Sequence, residues 1–156
     1  MTAVGGTTLA RASNARGWSE SAWNGAGSGC SAYESQPSWQ AGFATACSRR
    51  AEADVSADAD PASGASVYDT TAYNGQTGWF KVGGTSLAAP LVAGVYALAG
   101  DVSSASYPAQ RAWTSHSTFN DVTSGSNGSC GAPVCDAGAG WDGPTGWGTP
   151  WGTTGF

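Results

Sequence analysis

The chain has 156 residues, 24 of them Gly and 8 Trp, and a formal net charge of −5 at neutral pH. Its six basic residues form no cluster, so the charge pattern offers no footprint for nucleic acid. The longest apolar-rich stretch, Leu87 to Gly100, is too short and too Gly-broken to span a bilayer, and Met1 leads directly into Thr2-Ala3-Val4-Gly5-Gly6 without the pattern of a secretory signal peptide.

Length alone predicts one domain. The aliphatic content is low, with nine Val, four Leu, four Phe and no Ile. Such depletion normally accompanies disorder. Here the modest net charge and the many Trp and Ala residues argue for a loop-rich, tightly turned fold whose core is completed by other chain.

Residues 1–62 read as turn-rich, with a short extended start at Thr2–Thr8 and Gly/Ser punctuation at Gly25–Ser31. The four cysteines fall into two sequence-local pairs, Cys30 with Cys47 and Cys130 with Cys135. Neither pair has zinc-finger spacing, and the lone histidine, His116, is too distant to complete a ligand set. Two local disulfides are the simplest reading and imply an oxidising compartment. Closing the Cys30–Cys47 loop stabilises by roughly 3 kcal/mol in the chain-entropy treatment. The alternative is four unpaired, small core residues.

Residues 63–100 change texture. Val67–Tyr68 and Trp79–Val82 are β-prone and flank Asn74-Gly75, a strong hairpin-turn signal. Gly83-Gly84-Thr85-Ser86 then breaks the strand. Ser86 to Ala99 reads as a helix with Leu87, Leu91, Val95 and Leu98 at helical spacing. Residues 101–156 are again rich in Gly, Ser, Asn and Asp, with Trp141, Trp147 and Trp151 as anchors.

The stretch Val82-Gly-Gly-Thr-Ser86-Leu-Ala-Ala-Pro90 places Ser86 at a strand–helix corner. A hydroxyl there projects alongside the unpaired N–H groups of the first helical turn, which can help hold an oxyanion. Small residues Ala88, Ala89 and Gly94 predict close helix packing, and Pro90 is expected within the first turns, where a missing N–H costs least. The plain alternative is a Ser/Thr helix cap.

The full pattern Gly84-Thr85-Ser86-x-x-x-Pro90 resembles the nucleophile signature of subtilisin-like and sedolisin peptidases. The remainder resembles the sedolisin (serine-carboxyl peptidase) branch. Thr2-Ala-Val-Gly-Gly-Thr-Thr-Leu9 is similar to a family strand. Trp23-Asn24 and Pro37-Ser-Trp39-Gln40 are similar to its loop region. Asp54-Val55 with Ala59-Asp60-Pro61 is similar to its "Pro-Asp-Val … Ala-Asp-Pro" segment, with Ala53 in place of the Pro. The resemblance covers essentially all of residues 1–156. It implies an α/β fold, the C-terminal part of a subtilisin-like parallel-sheet domain that is loop-rich and carries a nucleophile helix and a calcium-binding element. The N-terminal half of the catalytic domain is then absent.

For the C-terminal element, Asn120-Asp121-Val122-Thr123 with Ala137-Gly-Ala-Gly-Trp-Asp142 resembles the family's site for one Ca²⁺. The resemblance assigns the carboxylates of Asp121 and Asp142 and the carbonyls of Val122, Gly138 and Gly140 as ligands. Hard oxygen donors suit this cation. The alternative is that these Asp and Gly residues simply mark turns.

The same resemblance implies a serine endopeptidase acting by acyl transfer through Ser86 on peptide or protein substrates, secreted in the parent protein, with neither nucleic acid nor membrane as partner. Of its catalytic groups only Ser86 is found. The family's Glu-x-x-x-Asp base pair and Ser-Gly-Asp oxyanion segment have no counterpart here. Asp54 and Asp58 are four apart but fall inside the Asp-Val-to-Asp-Pro match. Glu20, Glu34 and Glu52 lack a carboxylate four residues on and are expected in solvent, and His116 is expected to be exposed. A serine without a base is a weak nucleophile, so the chain alone is expected to be inactive. Two other readings stand beside the peptidase. One is a non-catalytic remnant or extracellular binding module using exposed Trp side chains. The other is a fragment complemented by a separately encoded N-terminal half. Met1 occupies the place of a Val in the family strand, so a start at an internal Val codon is also expected, with the missing motifs encoded upstream.

Overall fold

The computed structural model describes residues 1–100 and 107–156. Five strands occupy the region expected to be mostly turns. Strand β1 (Val4–Arg11) is the middle strand of a three-stranded sheet, between β2 (Trp18–Ala22) and β5 (Val55–Asp58). Its first half pairs in parallel with β5, from Val4↔Val55 to Thr7↔Asp58. Its second half pairs antiparallel with β2, from Thr7↔Ala22 to Arg11↔Trp18. Thr7 is the crossing point and is fully buried. Strands β3 (Gly29–Ser35) and β4 (Arg49–Glu52) form a separate ribbon, tied by the Cys30–Cys47 disulfide. The α/β class matches expectation, but among the described strands parallel pairing is confined to β1 and β5.

The Asn74-Gly75 signal is fulfilled. Both residues have positive φ, 49° and 78°, and they join β6 (Ala65–Tyr73) to β7 (Gln76–Val82) as a hairpin. Helix α1 (Thr85–Ala99) follows and packs on β5 and β1. Its buried face differs from the predicted stripe. Ala88 and Val92 are buried, with Val95, Tyr96 and Ala99 against the same core, whereas Leu98 is 80% exposed and Leu91 47%. Small side chains let the helix axis approach the sheet, so a stripe of the largest apolar residues does not mark the inner face. Ala89 and Gly94, expected to aid close packing, are likewise exposed. The helix ends at Gly100, whose φ of 77° provides a left-handed cap.

Helix α2 (Pro108–Thr114) begins with Pro at its first position. It delivers Trp113 into an aromatic cluster with Trp39, Phe43, Trp141 and Trp147. Trp141 and Trp147 are anchors as expected, but Trp151 is 72% exposed. The short strands β8 (Phe119–Asn120) and β9 (Thr149–Pro150) pair antiparallel and close the C-terminal region. Among the described residues no helix is long and apolar enough to cross a membrane.

Candidate active site

Ser86 is the second residue of α1. The N-cap is Gly84, at φ 113°, a conformation that side chains rarely adopt, and no side chain hydrogen-bonds the helix start. The hydroxyls of Thr85 and Ser86 are therefore not used as caps, contrary to the plain alternative. Gly84 donates its N–H to the Ala59 carbonyl at 2.5 Å, which fixes the corner to the end of β5. Ser86 is exposed, and its hydroxyl has no hydrogen-bond partner among the described residues. The N–H groups of Thr85 and Ser86 lie in the first turn, where the helix supplies no acceptor. Pro90 is the sixth residue of the helix, within its first two turns as expected. Its missing N–H removes the donor that the Ser86 carbonyl normally meets four residues on.

No titratable side chain engages the Ser86 hydroxyl among the described residues. Asp58 accepts from the Ser63 hydroxyl at 2.6 Å, and Asp60 accepts from Thr8 and from the Ala62 N–H. That N–H bond, and next the Thr8 hydroxyl, hold the Asp60 carboxyl below its ordinary value. His116 is exposed as expected, yet its ring lies over Trp147 at 4.4 Å and its Nδ1 meets the Trp113 carbonyl at 3.0 Å. Glu34 and Glu52 are exposed, whereas Glu20 is not in solvent. Its side chain is 4% exposed, pairs with Arg16 at 2.5 Å, and accepts hydrogen bonds from Thr7 and Thr149.

Asp54 has no base-like role. It is fully buried between β4 and β5 and accepts from the Ala3 N–H at 2.7 Å. Arg50 reaches it with both terminal nitrogens, at 2.9 and 2.5 Å, and Trp113 donates its indole N–H at 2.7 Å. The sequence signal for this network was a lone carboxylate inside the otherwise small and apolar run Ala53-Asp54-Val55.

In the C-terminal element, backbone N–H groups link Gly138 to Asp142 and Gly140 to Asp121. Asp121 and Val122 directly follow β8, and Asp142 begins a tight turn in which it and Gly146 exchange backbone hydrogen bonds. Gly146, at φ 63°, lies against Asp54, and a Cβ there would meet the Asp54 carbonyl at 2.3 Å. Asp142 is fully buried. One of its oxygens accepts from the N–H and hydroxyl of Thr145, the other from the Gly138 N–H, all at 2.9 Å. The Gly140 N–H donates to Asp121 at 2.9 Å. Burial pushes the Asp142 carboxyl up to about 6, against the hydrogen bonds from Gly138 and Thr145, and the Asp121 charge adds to the rise. No described residue forms a salt bridge with either carboxylate. The carbonyls of Val122, Gly138 and Gly140 accept no hydrogen bond from the described residues. Among the described residues no group of three or more His, Cys, Asp or Glu side chains comes together as a metal site. Both expected disulfides are formed, and Cys130–Cys135 closes the neighbouring loop.

No protein-family model matches the chain. Sedolisin from Pseudomonas sp. (strain 101) is 39% identical to it over 163 residues, covering 94% of this chain and 27% of that protein. Xanthomonalisin from Xanthomonas sp. (strain T-22) is 35% identical over 150 residues, covering 80% of this chain and 17% of that protein. A solved structure of Pseudomonas sedolisin, a serine-carboxyl proteinase complexed with two molecules of pseudo-iodotyrostatin, superposes with a TM-score of 0.72 at 38% identity. That match covers 96% of this chain and 43% of the solved one. The chain thus spans about a quarter of the length of the curated sedolisin it matches. By sequence and by fold, the chain belongs to the sedolisin family.

Proposed function

We propose that the chain is the nucleophile-bearing part of a secreted serine-carboxyl endopeptidase. The observation that carries this reading is Ser86 itself, an exposed, unbonded hydroxyl beside first-turn N–H groups at a Gly84-capped corner. Its oxygen attacks the scissile carbonyl, the amine leaves with the transferred proton, and water then releases the acyl group. On this reading the N–H groups of Thr85 and Ser86 share the developing oxyanion. Two disulfides support an oxidising compartment.

Asp121, Asp142 and the carbonyls of Val122, Gly138 and Gly140 would hold one Ca²⁺. Bound there, the cation offsets the charge of the buried Asp142 and braces the 138–146 turn.

The chain alone is inactive on this reading, because no carboxylate or histidine is bonded to Ser86. The base is supplied by an N-terminal half, joined to this chain or separately encoded. The exposed face of α1, with Leu91 and Leu98, supports a complementary half that covers it. Mixing the chain with the purified N-terminal part of Pseudomonas sedolisin should give peptide hydrolysis at acid pH that a Ser86→Ala chain does not give. If the mixture and the variant are equally silent while a covalent fusion of the two halves is also silent, the peptidase reading fails. A second reading, a non-catalytic binding module, is favoured by the exposed Trp79 and Trp151. It gains if the fusion folds without activity.

A further inference from the structure

The corner that carries Ser86 is seated on a tight turn, residues 59–64, which connects β5 to β6. Asp60 shapes that turn with both carboxylate oxygens. Oδ1 accepts from the Ala62 N–H at 2.8 Å, the local side-chain turn that aspartate favours. Oδ2 accepts from the Thr8 hydroxyl on β1 at 2.7 Å. The Asp60 carbonyl accepts from the N–H groups of Ser63 and Gly64, at 3.0 and 2.7 Å. Ser63 adds a second tie to β1. Its hydroxyl accepts from the Leu9 N–H at 3.1 Å and donates to Asp58 at 2.6 Å. Hydrogen bonds to a charged acceptor are the stronger ones, and the one Asp60 side chain both closes the turn and anchors it to the sheet.

The end of β7 and the residues after it rest on this turn. The Lys81 ammonium donates to the Ala62 carbonyl at 2.9 Å, and the Gly84 N–H donates to the Ala59 carbonyl at 2.5 Å. Between those two bonds the backbones touch. A Cβ at Gly64 would strike the Val82 carbonyl, and a Cβ at Gly83 would strike Pro61 and lie 2.7 Å from the Ala59 oxygen. Each of residues 81–84 therefore meets the 59–64 turn, and Ser86 follows two residues later. A shift of the turn is passed directly to the start of α1. Misplacing a reacting group by about 1 Å costs on the order of 10²-fold in rate.

We propose that Asp60 is a positioning residue for the nucleophile, shaping the turn on which the Ser86 corner is seated without acting on the hydroxyl itself. The proposal rests on the peptidase reading of Ser86 and deepens it by naming the residue that fixes the nucleophile in place. Native-state hydrogen exchange of the isotope-labelled chain tests it, because amides that open locally answer to local bonds, whereas those that open globally follow overall stability. The Gly84 N–H reports the corner. The Trp147 N–H, bonded to the Asp54 carbonyl at 2.9 Å, reports the aromatic core. Asp60→Ala should speed exchange at Gly84 at least tenfold more than at Trp147. Thr8→Val keeps the Ala62 bond, should speed Gly84 severalfold, and covers the case in which Asp60→Ala misfolds. Asp60→Asn retains an acceptor for the Ala62 N–H and should fall between Asp60→Ala and the parent. In the covalent fusion with the N-terminal part of Pseudomonas sedolisin, Asp60→Asn should lower kcat while leaving KM nearly unchanged. Equal acceleration at Gly84 and Trp147, or unchanged Gly84 exchange in Thr8→Val, would overturn the role even if the fusion hydrolyses peptide. Neither amide readout requires catalysis, so a silent fusion would count against the peptidase reading and not against the seating of the corner by Asp60.

Discussion

Trp113 donates its indole N–H to Asp54 at 2.7 Å across 59 residues of sequence. The same carboxylate holds Arg50 and the Ala3 N–H, so one buried charge joins the residue before β1, the β4–β5 corner and α2. Asp54→Ala should therefore destabilise the fold by about 3–5 kcal/mol, because Arg50 is left buried and uncompensated. Trp113→Phe loses one hydrogen bond and some packing and should cost less, with about 1–3 kcal/mol from the unsatisfied acceptor. Urea unfolding of both variants checks the order.

Calcium should raise the thermal midpoint of the chain. At a hundredfold excess over the dissociation constant the stabilisation is about 2.7 kcal/mol. Asp142→Asn and Asp121→Asn should each remove the calcium-dependent part. Melts that coincide with calcium and with chelator, in chain shown to be folded, would remove the site.

Peptide hydrolysis by the chain alone should not exceed that of Ser86→Ala. Loss of the base in serine enzymes removes rate on the order of 10⁶-fold. A fluorogenic peptide assay across acid and neutral pH reads this directly. A Ser86-dependent rate would mean that a base lies within this chain.

Asp60 should contribute to the acid limb of unfolding. The Ala62 N–H bond, and next the Thr8 hydroxyl, hold its carboxyl below the ordinary carboxylate value in the folded state. Its stabilisation is then fully present above the ordinary carboxylate value and is lost as pH falls through the folded one. Asp60→Asn should lower stability at neutral pH and flatten the pH dependence at the acid end, measured by denaturant midpoints from neutral to strongly acid solution.

Reduction should act unequally on the two disulfides. Cys30–Cys47 spans 17 residues and ties the β3–β4 ribbon, whereas Cys130–Cys135 spans 5. In the chain-entropy treatment the longer loop contributes about 3 kcal/mol and the shorter about 2 kcal/mol. Paired Cys→Ser variants compared by thermal unfolding should follow that order.

The Ser86 corner and the β6–β7 hairpin were legible because each rests on local chemistry. Two glycines permit the corner, and Asn74-Gly75 permits the turn. The inner face of α1 was not legible from size alone. Ala88 and Val92 are buried because the helix approaches the sheet closely, so Leu98 points outward despite its hydrophobicity. The burial of Glu20 was hidden for another reason. Its partners Thr7, Arg16 and Thr149 come from three separate segments, and no local pattern announces such a meeting. Strands β2 to β5 escaped notice because their Ser, Gly and Ala residues carry little β preference, and neighbouring strands supply the order.

The bond from Thr149 to Glu20 spans 129 residues. During synthesis the Glu20 carboxylate leaves the ribosome long before that partner exists. At about 5–20 residues per second the interval is several seconds to half a minute. The parallel edge of β1 waits a shorter time, until residues 55–58 emerge as β5. The nascent chain therefore carries an incompletely partnered acid until Thr149 emerges. Closure of this region waits for Thr149, and release of the chain short of it should yield a species prone to association rather than a smaller folded unit.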